Sequence, residues 1–185
     1  FEVMREADYN LKRHGSKLEN LKKLEENNEG FYKGVKEVLN ANIDGVLGAF
    51  ITLVSIPEIY ERAIEAAIPG NLQDIIVRDS NVAKRCVGLL KERRAGRASF
   101  LALDTIKPGR KASIIKEPGV VGIGSDLVEC DETYNKVVEM LLGNLLVVDK
   151  MDTAVRISKS NLHRGNIVTL HGELVSSRGR ITGGE

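Results

Sequence analysis

Residues 45–72 read GVLGAFITLVSIPEIYERAIEAAIPGNL, and residues 119–145 read GVVGIGSDLVECDETYNKVVEMLLGNL. Gly45, Val46, Gly48, Leu53, Val54, Glu58, Tyr60 and Glu65 each meet an identical residue 74 positions later. With Pro69 skipped, Gly70, Asn71 and Leu72 meet Gly143, Asn144 and Leu145. Eleven identities in twenty-seven ordered pairs mark an internal duplication. The likeness continues more loosely, Val77 and Asp79 resembling Val148 and Asp149, and the segment from Gly96 resembling the one from Gly165.

Each copy follows one pattern. A β-rich run closes on Leu53-Val54 or Leu127-Val128. An amphipathic helix follows, opened by Pro57 in its first turn or by Asp131 as N-cap. Tyr60, Ile64, Ala67 and Ile68 share one helix face, and Tyr134, Val138, Leu141 and Leu142 share the other. Gly70 and Gly143 stand where a left-handed residue would stop those helices. Strands are expected at 75–77 and 145–148, then a second helix, then strands at 98–103 and 167–170. A strand-like run from Ile167 to Val175 precedes the terminal SSRGRITGGE. The expected fold is mixed α/β, with two duplicated α/β lobes around a pseudo-twofold axis.

Upstream, Met4, Leu11 and Leu18 recur every seven residues, with Ala7, His14 and Leu21 at the complementary heptad positions. A coiled-coil helix over residues 1–29 is expected, fading at Gly15 and Glu25, then a short helix over 31–40. Residues 30–103 form lobe one, and 119–185 form lobe two with a glycine-rich end. Between them, residues 104–118 carry Pro108, Pro118 and four cations, and read as a connecting segment. The chain opens on Phe1 without a signal peptide and reads as a piece of something longer.

Composition narrows the function. With 42% hydrophobic and 29% charged residues, a packed core is within reach. A net charge of +1 excludes a uniformly basic nucleic-acid binder. The longest strongly apolar run, Val46 to Ile56, is about half of a membrane span. Cys86 and Cys130 lack partners at ligand spacing, which argues against zinc or a disulfide and for a reducing, cytosolic compartment. Trp is absent and aromatics are 4%, so stacking platforms for bases are not expected.

No catalytic constellation stands out. Gly119-Val-Val-Gly-Ile-Gly124 invites a nucleotide-loop reading, but its glycines miss the dinucleotide fingerprint and run into Ser-Asp-Leu-Val, which reads as strand. Glycines in a strand are better explained by a bulge or close backbone approach. Ser113-Ile-Ile-Lys116 matches an acyl-enzyme pattern by letters only. His163 and His171 lack ligand partners, and Glu58, Glu65, Glu132 and Glu139 sit at solvent-facing helix positions. Charge is unevenly spread. Lys84, Arg85, Lys91, Arg93, Arg94, Arg97, Lys107, Arg110, Lys111 and Lys116 are ten cations against two acids, whereas residues 119–154 carry seven acids and two cations. A basic face of this kind either contacts phosphates or serves as a solvated surface complementary to an acidic one. The terminal glycines, beside an exposed strand, favour edge-to-edge pairing between chains.

The segments AIEAAIPGNLQDIIV (63–77), residues 83–103 with GRASFL from Gly96, residues 141–154, and VTLHGELVSSRGRITGG (168–184) together resemble the hinge domain of bacterial structural maintenance of chromosomes (SMC) proteins. The resemblance spans nearly all of residues 30–184. It implies a non-enzymatic module without cofactor or metal, which dimerises two chains at the apex of coiled-coil arms. It further implies ATPase heads and a kleisin-type subunit at the far ends of the whole protein, which would be cytoplasmic and nucleoid-associated, with no membrane contact. Carried over by position, the dimer interface would hold Gly119, Gly122, Gly124, Gly179, Gly183 and Gly184. Arg178 and His171 depart from the pattern, Arg178 standing where a first glycine is usual. DNA contact through the ten cations is the implied secondary role. The competing readings are a DNA-binding module whose dimerisation is incidental, and a nucleotide-binding regulator at the Gly119 loop.

Overall fold

The computed structural model describes residues 30–184, and the heptad segment 1–29 lies outside the described residues. The first element, α1 (Lys33–Asn40), begins two residues later than expected. Lobe one runs β1 (Val46–Ala49), α2 (Phe50–Leu53), β2 (Val54–Ser55), α3 (Glu58–Ala67), β3 (Ile75–Val77), α4 (Ser80–Arg93) and β4 (Phe100–Ala102). Lobe two runs β5 (Val120–Ile123), a 3-10 turn (Gly124–Asp126), β6 (Glu129–Cys130), a second 3-10 turn (Glu132–Tyr134) and α5 (Asn135–Leu142). It continues with β7 (Leu146–Val148), α6 (Met151–Ser160) and β8 (Ile167–Thr169), then adds β9 (Leu174–Val175) and β10 (Ile181–Thr182).

The duplication is written into the backbone. β3 pairs antiparallel with β1 and parallel with β4, and β7 pairs with β5 and β8 in the same senses. Each first strand slips register at its matched glycine, between Val46 and Gly48 and between Val120 and Gly122. That is the bulge expected from the strand glycines. Arg78 N–H donates to the Gly45 carbonyl, and Asp149 N–H to that of Gly119, both at 2.8 Å. The lobes join where β2 meets β6 antiparallel, Val54 opposite Cys130 and Ser55 opposite Glu129. A shift of 74 positions turns Ser55 into Glu129, so this ladder maps onto itself, as the axis of a twofold duplication requires.

Strand alternation sorts the core into three clusters. Ile76 of β3 and Val147 of β7 point inward to a shared centre with Phe50, Ala63, Ile64, Val137, Val138 and Leu142. Ile75 and Val77 point outward to Val35 and Val38 of α1 and Val82, Cys86 and Leu90 of α4. Leu146 and Val148 likewise meet Ala154 and Ile157 of α6, with Ala112 and Ile115 of the connecting segment packed on that cluster. So the connecting segment covers lobe two where α1 covers lobe one.

Several expectations are corrected. Gly143 is right-handed at φ −69°, and Gly70 is absent from the positive-φ glycines; the left-handed stops are Arg94 and Asn161, ending α4 and α6. At Gly143 the glycine answers crowding instead, since a Cβ there would lie 2.3 Å from the Glu139 carbonyl oxygen. Ser125-Asp126 belongs to a 3-10 turn, not a strand. Pro57 is the N-cap of α3, one position before the first turn. The GNL identities do not superpose. Phe50 N–H donates to Asp74 O where Gly124 N–H donates to Leu145 O, so Asp74, not Leu72, is the counterpart of Leu145. Copy one is therefore three residues longer between these points. Finally, Ile167–Val175 is a hairpin, with Ile167 opposite Val175 and Val168 opposite Leu174.

Candidate functional site

Two strands leave one edge open. β8 is held by β7 on one side and β9 on the other, whereas among the described residues its counterpart β4 is paired with β3 alone. Within that parallel ladder, Ile75 N–H donates to Ser99 O at 2.9 Å and Leu103 N–H to Val77 O at 3.1 Å. Alternate residues of a parallel strand serve opposite neighbours. The peptide groups of Phe100 and Ala102 therefore face the open edge. The Ala102 carbonyl is already taken by the N–H groups of Thr105 and Ile106, each at 3.0 Å, which closes the far end of the edge.

The second open edge is β10, outermost in the order β10-β9-β8-β7-β5. Its Ile181 is 57% exposed, a large apolar side chain on a strand that β9 pairs on one side only. The hairpin that presents it is well tied. Ser176 N–H donates to Arg180 O at 2.8 Å, Gly179 N–H to Ser176 O at 2.8 Å, and Arg180 N–H to Ser176 Oγ at 3.0 Å. Gly179 turns this hairpin at φ +87°, a conformation glycine adopts without strain. After β10, Gly184 lies in open space at φ +113°, and a Cβ on Gly183 would meet only the Glu173 side chain, at 3.3 Å. The peptide chain beside this edge is bare of side chains.

The six glycines carried over to an interface are not brought together. Gly119 precedes β5, Gly122 lies on it and Gly124 follows it, at the opposite edge of the sheet from β10. Their identity has reasons inside the chain. At φ +88°, Gly119 lies so close to α6 that a Cβ would stand 2.5 Å from Thr153 Oγ1 and 2.6 Å from Asp149 Oδ1. Gly45, its copy, is pressed in the same way against Val82 of α4. Gly122 forms the bulge beside Leu127, and Gly124 abuts Leu145 and the Leu142 carbonyl. This arrangement also removes the basis of a nucleotide loop. The strand after Gly119 leads to a 3-10 turn rather than a helix N-terminus, and the Asp149 carboxylate beside it opposes a phosphate.

All ten candidate cations are exposed. Lys84, Arg85, Lys91 and Arg93 lie on α4, with Arg94 and Arg97 just beyond it; Lys107, Arg110, Lys111 and Lys116 lie on the connecting segment. Among the described residues, three have partners for their side chains: Arg85 donates to Asp44 O at 3.2 Å, Arg93 pairs with Glu37 at 2.9 Å, and Lys111 pairs with Asp126. The bare β4 edge escaped the sequence reading, because the pattern of copy one up to Leu103 promises the same strand as copy two. The difference comes afterwards, where copy two continues through a hairpin and copy one enters the connecting segment.

The family described as "SMC proteins Flexible Hinge Domain" matches residues 43–158. A protein named Chromosome partition protein Smc from Fusobacterium nucleatum is 56% identical over 98% of this chain, and its namesake from Bacillus subtilis is 35% identical over 91%. The chain spans 15% of the length of each of these relatives. Among solved structures, the asymmetric dimer of the Geobacillus stearothermophilus SMC hinge domain gives a TM-score of 0.84 at 36% identity, covering 99% of this chain and 78% of that one. The Pyrococcus furiosus SMC hinge domain gives 0.70 at 30% identity, covering 86% and 84%.

Proposed function

This chain belongs to the SMC flexible hinge domain family, and from that premise we propose that it joins two copies of itself through its open strand edges, at the tips of two coiled-coil arms of a chromosome-partitioning protein. The observation that carries this reading is the empty place beside β4, where lobe two supplies β9 from its own chain. Each protomer offers one edge at β4 and one at β10. Twofold symmetry lets each protomer's β10 lie against its partner's β4, forming two equivalent contacts and a closed assembly. Gly183 and Gly184 leave the backbone beside β10 unobstructed, and Ile181 supplies apolar surface. The Geobacillus stearothermophilus relative is solved as an asymmetric dimer, which supports self-association of this chain but not a particular pairing of edges. For the whole protein, ATPase heads and a kleisin-type subunit at the far ends of the arms belong to this proposal, as does a nucleoid-associated, cytoplasmic location.

DNA contact is the secondary role we infer. Lys84 and Lys91 follow one exposed side of α4 and Arg94 stands at its C-terminal end, and none pairs with an acid among the described residues. Each phosphate they neutralise steepens the salt dependence of binding by about 0.9 log units per log of salt.

Sedimentation equilibrium tests the main reading. The wild-type chain sediments as a dimer of about twice its 20.3 kDa mass, and Gly183→Glu with Gly184→Glu reduces it to a folded monomer by circular dichroism. A strictly monomeric wild type, or a double variant that remains dimeric, overturns the assignment.

A further inference from the structure

The three extra residues of copy one, within the turn from α3 to β3, meet the chain where it enters the described fold. Gln73 lies in this turn, and its carboxamide reaches 41 positions back to Tyr32, the N-cap of α1, and 43 back to Gly30. Its Oε1 accepts the Tyr32 N–H at 2.8 Å, and its Nε2 donates to the Gly30 carbonyl at 3.4 Å. The turn itself is firm. Asn71 Nδ2 donates to the buried Asp74 carboxylate at 2.9 Å, Asp74 N–H donates to Asn71 O at 3.1 Å, and the Asp74 carbonyl takes the Phe50 N–H.

Helix α1 needs this help. Tyr32 is its N-cap and has no side-chain oxygen on the first-turn amides, and the first turn carries no acid. In a capping box, a Glu or Gln at the third helical position reaches back to the N-cap N–H. That position here is Val35, which is committed to the lobe-one core at 3% exposure. An eight-residue helix is too short to hold itself. Gln73 supplies from another part of the chain the hydrogen bond that Val35 cannot make. The same helix is pressed home at its next residue, since Gly34 lies where a Cβ would be 2.3 Å from the Arg97 carbonyl oxygen.

We propose that Gln73 is a positioning residue, which caps α1 in trans and fixes the direction in which the chain enters lobe one at Gly30. Lobe two, shorter by these three residues, is covered by the connecting segment, which its corresponding turn holds through the backbone instead, Ala112 N–H donating to the Gly143 carbonyl at 2.9 Å. The consequence for arm direction rests on reading residues 1–29 as an arm, whereas the clamp itself does not.

Amide hydrogen exchange by NMR on the intact chain tests it. In Gln73→Leu, exchange at Tyr32, and at Lys36, whose N–H donates to Tyr32 O, speeds by about five-fold, the factor that one net hydrogen bond represents. Amides of Ile75–Val77 keep their wild-type rates. Gln73→Glu retains the acceptor and loses the donor, so Tyr32 stays protected. Unchanged exchange at Tyr32 in Gln73→Leu, or equal acceleration in Gln73→Glu, overturns the proposal. Sedimentation mass reads the association proposal separately. It stays at the wild-type value in both variants, and a fall in mass confined to the Gln73 variants would show that Gln73 acts on association rather than on the entering segment.

Discussion

At Gly34 a distance reverses the sign of a familiar rule. By propensity alone, Gly→Ala within a helix stabilises by about 1 kcal/mol. Here the added methyl falls 2.3 Å from the Arg97 carbonyl oxygen, which is backbone and cannot rotate away. Gly34→Ala is therefore expected to destabilise by roughly 1–3 kcal/mol, as overpacking does, and urea denaturation reads the shift in midpoint. His163 makes a second prediction at this scale. It is 8% exposed, its Nε2 lies 3.1 Å from the Asn144 carbonyl, and burial lowers its pKa below the ordinary 6.5. The unfolded chain thus binds the proton more readily than the folded one. The stabilisation is complete above 6.5 and is lost as pH falls toward the depressed folded value. His163→Gln should flatten the fall in melting temperature between neutral and mildly acid pH, and an unchanged slope would assign that fall to other groups.

The β8–β9 hairpin depends on one hydroxyl. Thr169 is fully buried, and its Oγ1 accepts the N–H groups of His171 and Glu173, each at 3.2 Å, while lying 3.3 Å from Glu173 Oε2. Thr169→Val keeps the shape and orphans both amides, at a cost of roughly 1–3 kcal/mol. Exchange at His171 and Glu173 should accelerate before that of β7. Sequence alone could not place this turn, because a β-branched Thr inside an apolar run reads as more strand. The order of elements was legible, since glycine bulges, Leu-Val ends and amphipathic faces repeat with the duplication. What misled were local likenesses with different causes. Gly70 and Gly143 share a neighbourhood in sequence, but a three-residue difference in length moves them to different backbone positions. Gly119, Gly122 and Gly124 do lie at an edge strand, β5, but crowding by Thr153, Leu127 and Leu145 also demands a missing side chain there, so glycine alone does not mark an interface. Of the two open edges, the glycine-rich end beside β10 could be pointed to from the sequence, whereas the bare β4 edge could not. An edge is defined by a strand that is absent.

The described residues form two lobes with a common interior, and that predicts how they unfold. Ile64 of lobe one and Val138 of lobe two are buried in the same cluster, together with Ile76 and Val147 from the two central strands. Neither lobe can open its inner face without exposing the other's. Ile64→Ala removes a fully buried side chain and should cost about 2–5 kcal/mol. Because the cavity lies in the shared centre, it should weaken β3 and β7 alike, although Ile64 belongs to copy one. The urea transition should stay single and move to lower concentration, with amides of Ile75–Val77 and Leu146–Val148 losing protection together. Ile157→Ala, in the outer cluster of lobe two, serves as comparison, since its side chain touches the interior of that lobe alone. Two separated transitions in Ile64→Ala, or protection lost in β3 and kept in β7, would mean that the lobes are independent domains held by the β2–β6 ladder. One transition would mean that the duplicated halves fold as a single body, so that strain at an edge in one lobe is transmitted to the other.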